Sequence, residues 1–177
     1  MPLCFAYGSN LDRAAMAARC PGARPVGLAR LERHRLAIMR EGYLTAVHDP
    51  RRAVHGLLWD VPFADLPALD RYEEVAGGLY VKRLLSLAGE GGAKRALVYL
   101  GSNAGPGRPR PGYLDAVLSA AREAGLPAGA LADIAALGTG GAAPQAEAPR
   151  PPPVRPTRRS PLDPARSPSP PNWRWTP

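Results

Sequence analysis

A short apolar run, Leu3-Cys4-Phe5-Ala6, stops at Gly8 and gives way to polar Ser9-Asn10 and a helix-like segment from Asp12 to Arg19. A strand must therefore end, expose a tight polar loop, and restart as a helix within a few residues. Gly8 permits positive φ and lets another group approach the main chain closely. Ser9 and Asn10 are turn and N-cap formers, so the loop presents backbone N–H groups at the start of a helix. Such a concavity suits an anion, most simply a carboxylate or phosphate. No Walker-type lysine and no G-x-G-x-x-G spacing follows, which argues against a nucleotide. On residue types alone, an ordinary strand-to-helix turn accounts for the stretch more simply.

Downstream, Val26 to Arg33 and Arg35 to Arg40 read as two strands, and Glu41-Gly42 as a turn. Tyr43 to His48 reads as a strand ended by Asp49-Pro50, and Ala53 to Val61 as the strongest strand, with Val54, Leu57, Leu58 and Trp59 as sheet-packing bulk. Leu79 to Leu87 and Lys94 to Leu100 form a hairpin through Gly89-Glu90-Gly91-Gly92. Gly101 to Gly112 is a Gly/Pro/Arg loop. Tyr113 to Glu123 is an amphipathic helix with Leu114, Val117, Leu118 and Ala121 inward, and Pro127 to Leu137 a last helical stretch. Short strands punctuated by turns predict a curled, partly closed sheet rather than a parallel one.

Between these strands, Pro62 to Glu74 switches to helical spacing. Phe63, Leu66, Leu69 and Glu73 recur at intervals of three, three and four, so they share one face. A carboxylate thus stands on the stripe expected to face the core, while Glu74 turns away and Asp70 lies off the stripe's centre. Acids at helix ends are commonly solvated, and that reading competes with a functional one.

The chain holds 22 prolines and 19 glycines, and twelve of the prolines fall after residue 140. Half of the formal charge of +8 also lies from Gly138 onward, six arginines against Glu147 and Asp163. With almost no aliphatic bulk, residues 138–177 are expected to form a disordered Pro/Arg-rich tail behind a domain spanning 1–137. Trp173 and Trp175 among those arginines invite a nucleic-acid reading, but the charge is diffuse and no recognition motif accompanies it, so no nucleic acid is expected. Cys4 and Cys20 are the only cysteines and show no ligand spacing, which points to a reducing cytoplasm rather than a disulfide framework. The N-terminus carries no basic-then-apolar leader, and no run reaches membrane-spanning length, so no membrane partner is expected. His34, His48 and His55 lack i, i+4 pairing, so no metal is expected. Ser9 lacks the second glycine of a nucleophile elbow and reads as a binding-loop hydroxyl.

Three blocks together resemble the γ-glutamylcyclotransferase family, which includes AIG2-like proteins. Phe5-Ala6-Tyr7-Gly8-Ser9-Asn10-Leu11 is similar to its signature loop. Leu69-Asp70-Arg71-Tyr72-Glu73-Glu74-Val75, leading to Gly78-Leu79-Tyr80, resembles the segment bearing its catalytic glutamate. Tyr113 through Pro127 resembles its C-terminal helical segment. The blocks come in family order and span a whole domain.

The resemblance implies a mixed α/β fold, a small barrel-like sheet flanked by helices. It implies cyclisation of a γ-glutamyl group, on an amino acid or amine, to 5-oxoproline with release of the amine. Neither a metal nor an organic cofactor is implied. Glu73 takes the position of the general acid–base, and Phe5 to Leu11 that of the substrate-binding loop. Tyr80, Tyr99 and Tyr113, by base rate ordinary core or boundary aromatics, match tyrosines at or near the family's pocket. One departure is visible: Glu74 stands where the family pattern has glycine, and helical facing selects Glu73 of the two acids. A non-catalytic relative that binds a small ligand or partner in the same pocket is the competing reading.

Overall fold

The structure, a computed structural model, describes residues 1–139. Five strands and four helices follow in the order β1 (Leu3–Ala6), α1 (Arg13–Arg19), β2 (Arg24–Ile38), β3 (Leu44–Asp60), α2 (Leu66–Tyr72), β4 (Tyr80–Gly89), β5 (Gly92–Gly101), α3 (Tyr113–Glu123) and α4 (Ala128–Thr139). The strands close into a barrel in the order β1-β3-β2-β4-β5. All neighbours are antiparallel except β1 and β5, a short parallel pairing of Cys4 with Leu97 and Phe5 with Val98 that seals the barrel. The expected mixed α/β fold is present, and the sheet is fully closed. Among the described residues, no helix is long and apolar enough to cross a membrane. The tail expected over 138–177 lies, from residue 140 on, outside the described residues.

The two pairs of strands expected between Val26 and Val61 are two long strands instead. The reason sits at one bulge. Glu32 pairs with Ala53 and the next rung joins His34 to His48, so Arg33 alone faces Asp49 to Arg52. Arg33 adopts φ 59°, and the Asp49 carboxylate accepts from the Arg51 N–H at 3.1 Å, closing a local turn. Pro50 has no N–H to give a ladder, and the extrusion spares it that role. The Asp49-Pro50 signal therefore marks an irregularity inside a strand rather than its end.

Helix boundaries follow local chemistry. Asp12 caps α1 by accepting from the Ala15 N–H at 2.9 Å, the arrangement that satisfies an otherwise orphaned donor. The helix expected from Pro62 starts only at Leu66, after a turn over residues 63–65, and Pro67 occupies its first turn. This corrects the expected stripe. Phe63 precedes the helix and is 73 % exposed, whereas Leu69 is fully buried and Glu73 is buried one turn later. In α3, Val117 and Ala121 are buried while Leu114 and Leu118 pack against the core's edge.

The core fills the barrel and the seam under α3 and α4 with, among others, Leu31, Val54, Leu57, Leu87, Val98, Val117 and Ile134. Gly56 is needed where β1 lies against β3. A Cβ there would sit 2.2 Å from the Ala6 carbonyl oxygen and 2.8 Å from the Phe5 ring. That close approach fixes where β1 ends, and so where the loop after it begins.

Candidate active site

A pocket opens where the loop after β1, the end of α2 and the start of α3 meet the barrel. Phe5, Ala6, Tyr7, Gly8, Ser9, Asn10, Glu73, Tyr80, Tyr99 and Tyr113 line it, together with Leu44. All but one of the residues singled out from the sequence are therefore brought together. Leu11 is the exception: it is buried beneath the loop and does not reach the pocket wall. The enclosed space is about 30 Å³, and about 330 Å³ out to its open mouth. Its closed end has room for no more than a small group.

The loop winds into a single 3-10 turn over Ser9–Leu11. The N–H groups of Leu11 and Asp12 donate back to the carbonyls of Gly8 and Ser9 at 3.0 and 3.3 Å. Among the described residues, no acceptor engages the N–H groups of Gly8, Ser9 and Asn10. Gly8 is not in the left-handed region; its φ is −128°. Its value is space, because a Cβ would stand 3.3 Å from the Tyr113 hydroxyl.

Glu73 is the residue that caps the C-terminal end of α2, its N–H donating to the Leu69 carbonyl at 2.9 Å. With Leu69 anchored in the core one turn earlier, the Glu73 side chain is carried inward to 9 % exposure. Glu74 goes the other way and is exposed. Its φ of 49° lies in the left-handed region that favours glycine. Burial pushes the Glu73 carboxyl up to about 7, against the opposing pull of the Asn10 hydrogen bond and the Arg19 charge.

Asn10 holds the carboxylate. Its Nδ2 donates to Glu73 Oε1 at 2.6 Å, and its Oδ1 accepts from Arg19 Nη1 at 2.6 Å. Trp59 Nε1 donates to the Asn10 backbone carbonyl at 3.1 Å, locking the residue from behind. The Arg19 guanidinium stacks 3.5 Å above the Tyr72 ring, and the Tyr72 hydroxyl donates to Ser9 Oγ at 3.0 Å.

The tyrosines divide by what their hydroxyls do. Tyr7 donates to the Tyr99 carbonyl, Tyr80 to the Leu44 carbonyl at 2.7 Å, and Tyr99 to Asp70 Oδ1 at 2.7 Å. Desolvation raises all three above the ordinary phenol value, so they stay neutral. Tyr113 instead accepts from the Leu44 N–H at 3.3 Å. Among the described residues its own proton has no acceptor, and burial pushes it up to about 12. It is the tyrosine in the wall with a donor to offer.

Asp70 serves the scaffold rather than the pocket. It accepts from Lys82 Nζ at 2.7 and 2.9 Å as well as from Tyr99, tying α2 to β4 and β5. Desolvation is the largest influence on its carboxyl and acts upward, but the Lys82 and Tyr99 hydrogen bonds and the Lys82 charge together hold it low. Both cysteines are free and buried, and burial raises the Cys4 thiol to about 12, so it offers no thiolate. Among the described residues, no group of three His, Cys, Asp or Glu side chains could hold a metal ion.

Sequence reasoning missed Leu44 and Arg19. Leu44 merely follows the Gly42 turn, and Arg19 has the ordinary look of a cation in a helix's last turn.

Among the described residues, the fold and the site define a small closed barrel whose pocket wall holds one buried carboxylate. The AIG2-like family matches residues 53–133. A γ-glutamylcyclotransferase of Homo sapiens is 31 % identical over 136 residues, covering 71 % of this chain and 72 % of its own. One of Mus musculus is 32 % identical over the same length. A solved γ-glutamyl cyclotransferase structure superposes with a TM-score of 0.70 at 29 % identity, covering 76 % of this chain and 86 % of its own. The chain belongs to the γ-glutamylcyclotransferase family, a family of enzymes.

Proposed function

We propose that this chain cyclises the γ-glutamyl group of a γ-glutamyl amino acid or amine to 5-oxoproline and releases the amine, with Glu73 as general acid–base. One observation carries the reading. Among the described residues Glu73 is the sole carboxylate in the pocket wall, and burial poises it near neutrality, where a group that must both take and return a proton works best.

The substrate brings its own nucleophile, the α-amino group, so the reaction calls for no serine, cysteine, metal or organic cofactor. Folding the γ-glutamyl chain brings the amine to the γ-carbonyl carbon, and holding that pose is the largest contribution open to the protein. Glu73 takes a proton from the attacking nitrogen. A ring C–N bond forms, the γ-amide C–N bond breaks, and Glu73 returns the proton to the departing nitrogen. The unclaimed N–H groups of Gly8, Ser9 and Asn10 suit the α-carboxylate or the developing oxyanion. Tyr113, with its free proton beside Gly8, supplies a further donor.

The test is incubation of the full chain with γ-glutamyl-alanine, a γ-glutamylamine and glutathione, followed by detection of 5-oxoproline. Release from any of them supports the proposal and names the leaving group accepted. Binding of all three without 5-oxoproline would overturn it in favour of a binding protein.

A further inference from the structure

We infer that Arg19 is a positioning residue for Glu73, acting through the Asn10 side chain. The inference rests on the reading of Glu73 above and extends it to a residue outside the pocket wall.

The geometry is a relay of two short hydrogen bonds, Arg19 Nη1 to Asn10 Oδ1 and Asn10 Nδ2 to Glu73 Oε1, each 2.6 Å. An amide can present either end to a neighbour, but a guanidinium only donates. Arg19 therefore compels the Asn10 oxygen to face it and turns the NH₂ toward Glu73. Without that donor the amide is free to flip, and its oxygen would then oppose a carboxylate oxygen. Arg19 is itself held from two sides, by Asn10 and by the Tyr72 ring beneath it. Among the described residues no carboxylate forms an ion pair with it. Its charge is thus available to the one acid at the far end of the relay.

Other titratable groups around Glu73 come from every packed element: Tyr7 after β1, Tyr72 at the end of α2, Tyr80 from β4, Tyr99 from β5 and Tyr113 from α3. The buried phenols among them are pushed up and stay neutral, so Arg19 is the charged group that acts on the carboxylate. It favours the ionised form, the form required of a base.

The experiment follows the Glu73 side-chain carboxyl by ¹³C NMR titration of the full chain, alongside the pH dependence of 5-oxoproline release. In Arg19→Met the stem still covers Tyr72 while the donor and charge are gone. The Glu73 midpoint is expected to rise by about one pH unit, a tenfold change in its ionisation constant, and the rising limb of the rate profile to move with it. Arg19→Lys, which keeps the charge, is expected to bring the midpoint most of the way back. An unmoved midpoint in a folded Arg19→Met protein would overturn the inference and leave Arg19 a stacked surface cation. If Arg19→Met does not fold, Arg19→Leu decides on the same terms, since it too removes both the donor to Asn10 and the charge. Should wild type release no 5-oxoproline, the function fails while the titration still judges the relay.

Discussion

Replacing Glu73 with glutamine should make the protein more stable, and only on the alkaline side. In the unfolded chain this carboxyl titrates at its ordinary 4.5, and in the folded chain burial moves it to about 7. Between those values the folded protein holds a proton that the unfolded chain has released, so raising the pH favours unfolding. The cost is absent below 4.5, grows through the window, and is complete above about 7. A midpoint moved by one pH unit corresponds to about 1.4 kcal/mol, which sets the full cost of an ionised Glu73 at about 3 kcal/mol. At 9 % exposure, solvent screening takes little from that figure. Glutamine keeps the size and the acceptor for Asn10 Nδ2 but cannot ionise. Urea denaturation of wild type and Glu73→Gln at pH 5 and pH 8 measures the difference. The variant's advantage should be under ~1 kcal/mol at pH 5 and about 3 kcal/mol at pH 8. An advantage equal at the two pH values would refute the reasoning, because a side chain already ionised in solvent carries no such linkage.

Gly8→Val should fold yet lose turnover, since its Cβ starts 3.3 Å from the Tyr113 hydroxyl and its branches extend into the pocket; normal steady-state kinetics in this variant would show the loop to be a mere connector. Glu74→Gly should raise stability by about 1 kcal/mol by relieving a left-handed backbone at φ 49°, seen as a melting temperature about 3–5 °C higher with unchanged turnover. A chain ending after Thr139 should keep wild-type turnover, because every described pocket residue lies at or before Tyr113; a large loss on assay would assign a catalytic part to residues 140–177.

The loop and the buried carboxylate of the pocket were legible in the sequence for a physical reason. Gly8-Ser9-Asn10 is local turn chemistry, and Leu69 and Glu73 stand one helical turn apart whatever the helix does upstream. That is why Glu73 is buried although the stripe it was read from begins wrongly, with Phe63 outside the helix and exposed. The long bulged strands were not legible, because Asp49-Pro50 carries the same signal whether a strand ends or extrudes. Barrel closure rests on two parallel rungs between β1 and β5, nearly a hundred residues apart, and leaves no local trace. Arg19 was hidden for the same reason. Nothing near it in the sequence reveals that a loop nine residues earlier will bring Asn10 to its guanidinium and, through Asn10, link it to Glu73.

Proton transfer by Glu73 is the central claim. 5-Oxoproline release from a γ-glutamyl dipeptide should be followed from pH 5 to pH 9 for wild type, Glu73→Gln and Glu74→Gln. The wild-type rate should rise with pH through a single ionisation near 7. Glu73→Gln should lose turnover by about 10²–10⁴-fold along with that limb, and Glu74→Gln should stay close to wild type. Full activity in Glu73→Gln, or collapse in Glu74→Gln alone, would contradict it.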